Sequence, residues 1–227
     1  MSTVFRWTLE EYEALTEVGE RVFSDWRHPR HIELIRGYLK ERGEPAKLSM
    51  NEYLGMVETG IFSRFGKKKR VELIRGEIRE MSPIGNAHEE ALTCLTEWSF
   101  SRVGADVKIR VQCSIRLLPR LQTVPEPDLV WVVRRSYRCE KPGPDDIFLL
   151  VEVADTSLAE DTGEKAELYA AAGIRDYWVV NIPEKVVEVR RDPGPDGYRS
   201  LAKFSGNAEV RPLAFPESFL IPDTIWN

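Results

Sequence analysis

Two carboxylates and an amine, Asp128, Glu152 and Lys165, are the side chains of this chain best suited to chemistry. Asp128 follows Pro125-Glu126-Pro127 and opens the apolar run Leu129-Val130-Trp131-Val132-Val133. Glu152 lies inside Ile147-Phe148-Leu149-Leu150-Val151-Glu152-Val153-Ala154, a run with the length and composition of a buried strand. A carboxylate in such a run is costly to bury unless a cation or hydrogen bonds compensate it. Lys165 stands thirteen residues beyond Glu152. Gathered by adjacent strands and the next helix, these groups can hold a divalent metal beside an acid-base or charge-stabilising amine.

Each residue alone has a plainer explanation. Asp favours loop entries, so Asp128 alone reads as turn chemistry, and Glu126 as an accessory acid or a solvated one. Glu152 shares its strand face with Leu150 and Ala154, where a buried ion pair with arginine would also satisfy it. Lys165 has Asp161 at i−4 and Tyr169 at i+4, the spacing of a surface ion pair. The joint arrangement gains weight because the Lys165 helix leaves the Glu152 strand after a short loop. Its first turns pass near that strand's C-terminal end, where open α/β sheets place ligands. His88, with Glu89 and Glu90, sits in the first turn of an earlier helix, where the dipole alone explains the acids. Glu72 is a third candidate acid, but Glu33 matches it in a repeated element, which suggests a structural role.

The elements that must position these groups follow from pattern and punctuation. Trp7-Thr8-Leu9-Glu10-Glu11-Tyr12 resembles Leu48-Ser49-Met50-Asn51-Glu52-Tyr53, each a helix entered through a Thr or Ser cap. Glu33-Leu34-Ile35-Arg36-Gly37 recurs as Glu72-Leu73-Ile74-Arg75-Gly76. We read a duplicated N-terminal helix-strand extension over residues 1–47 and a main domain over 48–227. Within the latter, strands at 71–74 and 78–81 flank a glycine turn. Asn86 caps a helix running to about Arg102, with Ala87, Ala91, Leu92, Leu95 and Trp98 on its apolar side. Strands follow at 106–118, 128–134 and 147–154. Ser157-Leu158-Ala159-Glu160 fits a capping box for one helix over 159–172, with Asp161 or Thr162 as the alternative cap and Gly173 closing it. Ile174–Ile182 and Val186–Val189 form a strand and its hairpin partner, and short strands complete the tail. Trp131, Trp178, Tyr177 and Phe148 belong to the core. The order is that of a mixed α/β fold.

Bulk properties narrow the function. The 227 residues are 42% hydrophobic and 30% charged, enough apolar material for a real core. No apolar stretch or leader-like N-terminus suggests a membrane or secretory route, so a cytoplasmic location is expected. Cys94, Cys113 and Cys139 are widely spaced, and with His28, His31 and His88 they complete no zinc pattern; reduced structural thiols are expected. A net charge of −5 argues against indiscriminate coating of nucleic acid but allows a local basic groove. Lys67-Lys68-Lys69-Arg70, Arg134-Arg135 and Arg190-Arg191 are the positive runs, each also readable as a solvated loop or strand end. No phosphate loop, nucleophile elbow or dinucleotide fingerprint is present.

These residues in this order resemble the PD-(D/E)xK nuclease superfamily, the fold of restriction endonucleases. Residues 70–190 are most similar to its large restriction-endonuclease-like family. The matching stretches are Glu72-Leu73-Ile74-Arg75-Gly76-Glu77-Ile78 with Met81-Ser82-Pro83, Pro127-Asp128-Leu129, and Val151-Glu152-Val153. Asp161, Gly163-Glu164-Lys165, Tyr169, Gly173-Ile174 and Tyr177-Trp178-Val179-Val180 complete them. The superfamily's usual lysine would fall at Ala154; here Lys165 takes its place from the following helix. The resemblance implies a mixed central sheet flanked by helices and hydrolysis of phosphodiester bonds in DNA, with RNA as the other candidate substrate. It implies Mg²⁺, with Mn²⁺ as a substitute, held by Asp128, Glu152 and the Val153 carbonyl, with Lys165 activating water; Glu72, His88 and Tyr169 are accessory candidates. Fold analogy further implies a homodimer. A non-catalytic regulatory or interaction protein on the same fold is the alternative.

Overall fold

A computed structural model describes residues 2–22, 32–35, 38–41, 43–63 and 69–226. By backbone proximity the chain divides into two compact units: Pro83–Leu118 with Glu126–Asn227, and Ser2–Ser82 with Pro119–Pro125.

The second of these contains β1 (Ser2–Val4), α1 (Leu9–Val22), β2 (Ile32–Ile35), β3 (Tyr38–Glu41), β4 (Glu44–Pro45), α2 (Met50–Glu58), β5 (Val71–Ile74) and β6 (Glu77–Met81). Both helices start from reciprocal caps. The Thr8 hydroxyl accepts from Glu11 N while Glu11 accepts from Thr8 N, and Ser49 and Glu52 do the same. Gly76, at φ +80°, and Arg75, at φ +50°, make the tight β5–β6 turn. The boundary expected after residue 47 falls inside this unit. β1 pairs antiparallel with β6, and Phe5 N donates to Ile78 O, so the first residues are stitched to the β5–β6 hairpin. Phe5, Trp7, Tyr53, Met56, Phe62 and Leu73 share its core. In each half of the repeat a helix is followed by a hairpin, β2–β3 and β5–β6. Arg36, Gly37, Lys67 and Lys68 lie outside the described residues, as do His28 and His31.

The other unit is built on α3 (Asn86–Arg102), β7 (Val107–Val111), β8 (Leu129–Val133), β9 (Ile147–Ala154), α4 (Leu158–Thr162), α5 (Glu164–Ala172), β10 (Asp176–Asn181), β11 (Val186–Gly194), β12 (Gly197–Phe204) and α6 (Asp223–Trp226). Six strands form one sheet in the order β12-β11-β10-β9-β8-β7, parallel only between β9 and β10. It is the mixed sheet flanked by helices that the sequence implied. α3 covers one face, where Leu92, Leu95, Trp131, Leu149, Val151 and Trp178 pack together. Trp98 stacks on Trp131 and Trp178 at ring separations of 5.0 and 5.8 Å, and Trp131 Nε1 donates to Ser99 Oγ. The opposite face of β9, carrying Leu150, Glu152 and Ala154, meets α4 and α5. Covered on both sides, β9 reads as a nearly unbroken apolar run.

Several expectations are corrected. The strand expected over 106–118 stops at Val111, because Gln112 adopts φ +46° and breaks the ladder. Gly85, not Asn86, is the N-cap of α3. Ala87 is exposed, and His88 takes its place on the buried side. The helix expected over 159–172 is two helices, broken at Gly163 (φ −102°, ψ −104°). Ser157 makes no side-chain cap; its hydroxyl binds Asp161 instead. Gly173 closes α5 at φ +88°, as expected. Only an isolated bridge, Val210 to Leu220, stands for the last tail strand. The three cysteines form no disulfide. Among the described residues, no helix is long and apolar enough to cross a membrane.

Candidate active site

Neighbouring strands bring the two central acids face to face. β8 and β9 are antiparallel, with Leu129 opposite Val151, so Asp128 just outside β8 meets Glu152 within β9. Asp128 N donates to Glu152 Oε2 at 3.2 Å, and Val153 N donates to Asp128 Oδ2 at 2.9 Å. His88, in the first turn of α3, places Nε2 3.0 Å from Asp128 Oδ1. The two helices after β9 complete the cluster. Lys165, in the first turn of α5, sets Nζ 3.2 Å from Glu152 Oε1 and 3.6 Å from Asp161 Oδ1. Tyr169, one turn on, donates its hydroxyl to Glu152 Oε1 at 2.7 Å. Ser157 Oγ donates to Asp161 Oδ2 at 2.5 Å, and the Tyr177 hydroxyl to the Asp161 carbonyl at 2.8 Å.

All five ionisable groups are nearly dry: Asp128 is 6% exposed, Glu152 and Asp161 2%, Lys165 7% and His88 8%. Their environments push the acids apart. Burial drives the Glu152 carboxyl well above the usual carboxylate range, opposed by Lys165 and reinforced by the charges of Asp161 and Asp128. Asp161 is pushed up to about 6, again by burial first, with Lys165 and Ser157 pulling the other way. Burial also acts upward on Asp128, but His88, the Val153 N–H and Lys165 outweigh it and hold the group below its ordinary value. Two carboxyls that resist ionisation thus sit beside one that favours it, a division typical of sites that handle protons or cations.

Asp128, Glu152, Lys165, Tyr169 and His88 therefore share one cluster. Glu72 does not belong to this unit; it is buried on β5, opposite Arg79 in the ladder of the other one. Asp161 reads in the sequence as the i−4 partner of Lys165 and as part of the family-like stretches, without a role in the site. Ser157 was read as a helix cap. Among the described residues, no three His, Cys, Asp or Glu side chains gather as a metal-binding group. The donor chemistry still suits a hard cation. Mg²⁺ takes one or two carboxylates and keeps most of its waters, and Asp128 and Glu152 are two such carboxylates.

Residues 51–222 match the family Uma2, described as "Putative restriction endonuclease". The crystal structure of a putative nuclease belonging to DUF820 from Anabaena variabilis ATCC 29413 aligns with a TM-score of 0.60 at 15% identity, covering 79% of this chain and 97% of that one. At that identity the likeness is one of fold. Curated proteins give no match.

Proposed function

The chain belongs to the Uma2 family of putative restriction endonucleases, and from that premise we propose that it is a cytoplasmic, Mg²⁺-dependent endonuclease hydrolysing phosphodiester bonds in DNA. The observation that carries this reading is the buried cluster itself, in which Asp128 meets Glu152 while Lys165 bridges Glu152 and Asp161. Asp128, Glu152 and the Val153 carbonyl would hold the cation, with Mn²⁺ able to replace Mg²⁺. When bound, it supplies Lewis acidity toward a phosphate oxygen and lowers the pKa of a water.

The chain's own residues have separable tasks. Hydrolysis joins a water oxygen to phosphorus and breaks one P–O ester bond; a proton leaves the water and another reaches the departing alkoxide. Lys165 offsets the negative charge that grows on the phosphate and orients the attacking water. Asp161 grips the same ammonium from the far side, and Tyr169 fixes the rotamer of Glu152; both act by positioning. His88 must present an N–H to Asp128, because an ionised carboxylate only accepts. That contact keeps Asp128 charged and therefore competent as a ligand. Cutting both strands of a duplex calls for two such sites, which a twofold homodimer would supply. A protein that sediments only as a monomer at micromolar concentration would remove that part of the proposal.

Supercoiled-plasmid nicking in Mg²⁺ tests the activity, and calorimetric titration with Mn²⁺ tests the site. Wild type is expected to nick, and Asp128→Ala to lose cation binding. Cation binding without cleavage of any nucleic acid would instead favour a non-catalytic regulatory protein on this fold.

A further inference from the structure

The Arg134-Arg135 run, left unused by the cluster above, opens a second charged region of the same unit. Beyond the end of β8 the chain passes through Arg134, Arg135, Tyr137 and Arg138, which with Lys108 and Arg110 of β7 line a concavity of about 530 Å³. No acid lines it. Tyr137 is its centre: Arg135, Arg110 and Lys108 lie 4.7, 5.5 and 5.6 Å from the ring centroid. The Tyr137 hydroxyl donates to Val133 O at 2.8 Å, anchoring the ring to the strand end. The aromatic face thus gathers cations that would otherwise repel one another.

Only one of these cations is neutralised. Asp146 takes Arg135 with two bonds, of 3.0 and 2.8 Å. Among the described residues no carboxylate pairs with Lys108, Arg110, Arg134 or Arg138. Arg134 and Lys108 spend one bond each on backbone carbonyls, which fixes their stems while leaving donors free. Arg110 Nε is buried without an acceptor. Lys141 registers the surplus: burial first, then the charge of Arg110, holds its ammonium below the ordinary lysine range. In a chain of net charge −5, this is a local concentration of positive charge rather than a general property.

We propose that this concavity is a phosphate-binding surface for the nucleic-acid backbone, holding a duplex away from the point of cleavage. The ligand rests on the nuclease reading above. Six residues of extended chain separate Asp128 from Arg134, about 20 Å at roughly 3.3 Å per residue. That distance spans about six base pairs at 3.4 Å each. A guanidinium cluster suits the task, because its planar donors match phosphate oxygens and bind without reading sequence.

The test is anisotropy with a labelled DNA duplex in EDTA, titrated across salt, comparing wild type with Arg134→Gln/Arg138→Gln. Each lost phosphate contact makes the slope of log K against log salt shallower by about 0.9, so the double variant should lose about 2 and bind more weakly. Arg134→Lys/Arg138→Lys should restore most of the slope, which a merely structural role would not require. An unchanged slope and Kd would overturn the proposal, as would a loss of binding confined to phosphatidylserine vesicles. Parallel nicking separates the two ideas. A wild type that nicks while the variant keeps its slope sinks this surface alone. A wild type that shows the arginine-dependent slope yet never nicks sinks the nuclease reading alone.

Discussion

Asp128, just before β8, is 6% exposed and bonded on both oxygens, whereas Arg134, just after the same strand, faces solvent with spare donors. The same five-residue strand therefore joins a buried, acidic, fully partnered cluster to an open, basic, largely unpartnered one. Burial sets the difference. At the closed end each carboxylate must be matched by an N–H, an O–H or the Lys165 ammonium, and removing one partner strands another charge. At the open end water solvates each guanidinium, so like charges can accumulate at little cost and remain available to a ligand.

The contrast is sharpest at Lys165. Lys165→Ala leaves Glu152 and Asp161 facing each other without a cation. It is expected to cost about 3–5 kcal/mol in denaturant unfolding and to reduce nicking by ~100-fold or more. Unchanged unfolding would mean that the closed end tolerates charge as the open end does. Asp161 gives a comparable effect through pH. Its folded pKa, about 6, lies above the ordinary 3.8, so its stabilising protonation is complete below about 3.8 and is lost as pH rises through 6. Glu152, also raised, acts with the same sign, while the lowered Asp128 weakens the fold only on acidification below its ordinary value. Metal-free protein should therefore be less stable at neutral pH than near pH 5, by about 1 kcal/mol from Asp161, the full effect of about 3 kcal/mol being reached only below its ordinary value. Asp161→Asn should flatten that part of the profile in EDTA; an unchanged profile would remove Asp161 from it. His88→Ala removes a bond to an ionised group, worth about 1.5–3 kcal/mol, and should weaken Mn²⁺ binding by raising Asp128. Equal cation affinity in that variant would limit His88 to packing. At the open end, Arg138→Gln should change unfolding by no more than about 0.5 kcal/mol. A larger loss would show that this cation is structural after all.

What the sequence disclosed follows from the same physics. β9 was readable to its last residue, because a strand covered on both faces has nearly one kind of side chain and Glu152 stands out within it. The order of the acids and the lysine was readable as well, since strand adjacency and a short βα loop constrain where a helix begins. The end of β7 was not: alternation continues past Val111, and nothing in the residue type announces the positive φ of Gln112. Periodicity put Ala87 on the apolar side and left His88 out of it, since hydrophobicity does not register that Asp128 rewards a buried imidazole. Asp161 was hidden for a related reason. An acid four residues before a lysine fits an exposed helical pair equally well, and only coordinates show both to be buried.

Gly163 couples these lessons to the layout of the cluster. A Cβ there would stand 2.7 Å from the Ala159 carbonyl oxygen, closer than real contacts allow. The turn from α4 to α5 is thus set by backbone against backbone, not by any side chain that could be exchanged. Drift at neighbouring positions can proceed without disturbing the aim of Lys165. A change of length cannot, since one residue added between Gly163 and Lys165 would swing the ammonium about 100° around the helix axis, away from both carboxylates. Natural variation in this stretch should therefore run to replacements while its residue count stays fixed.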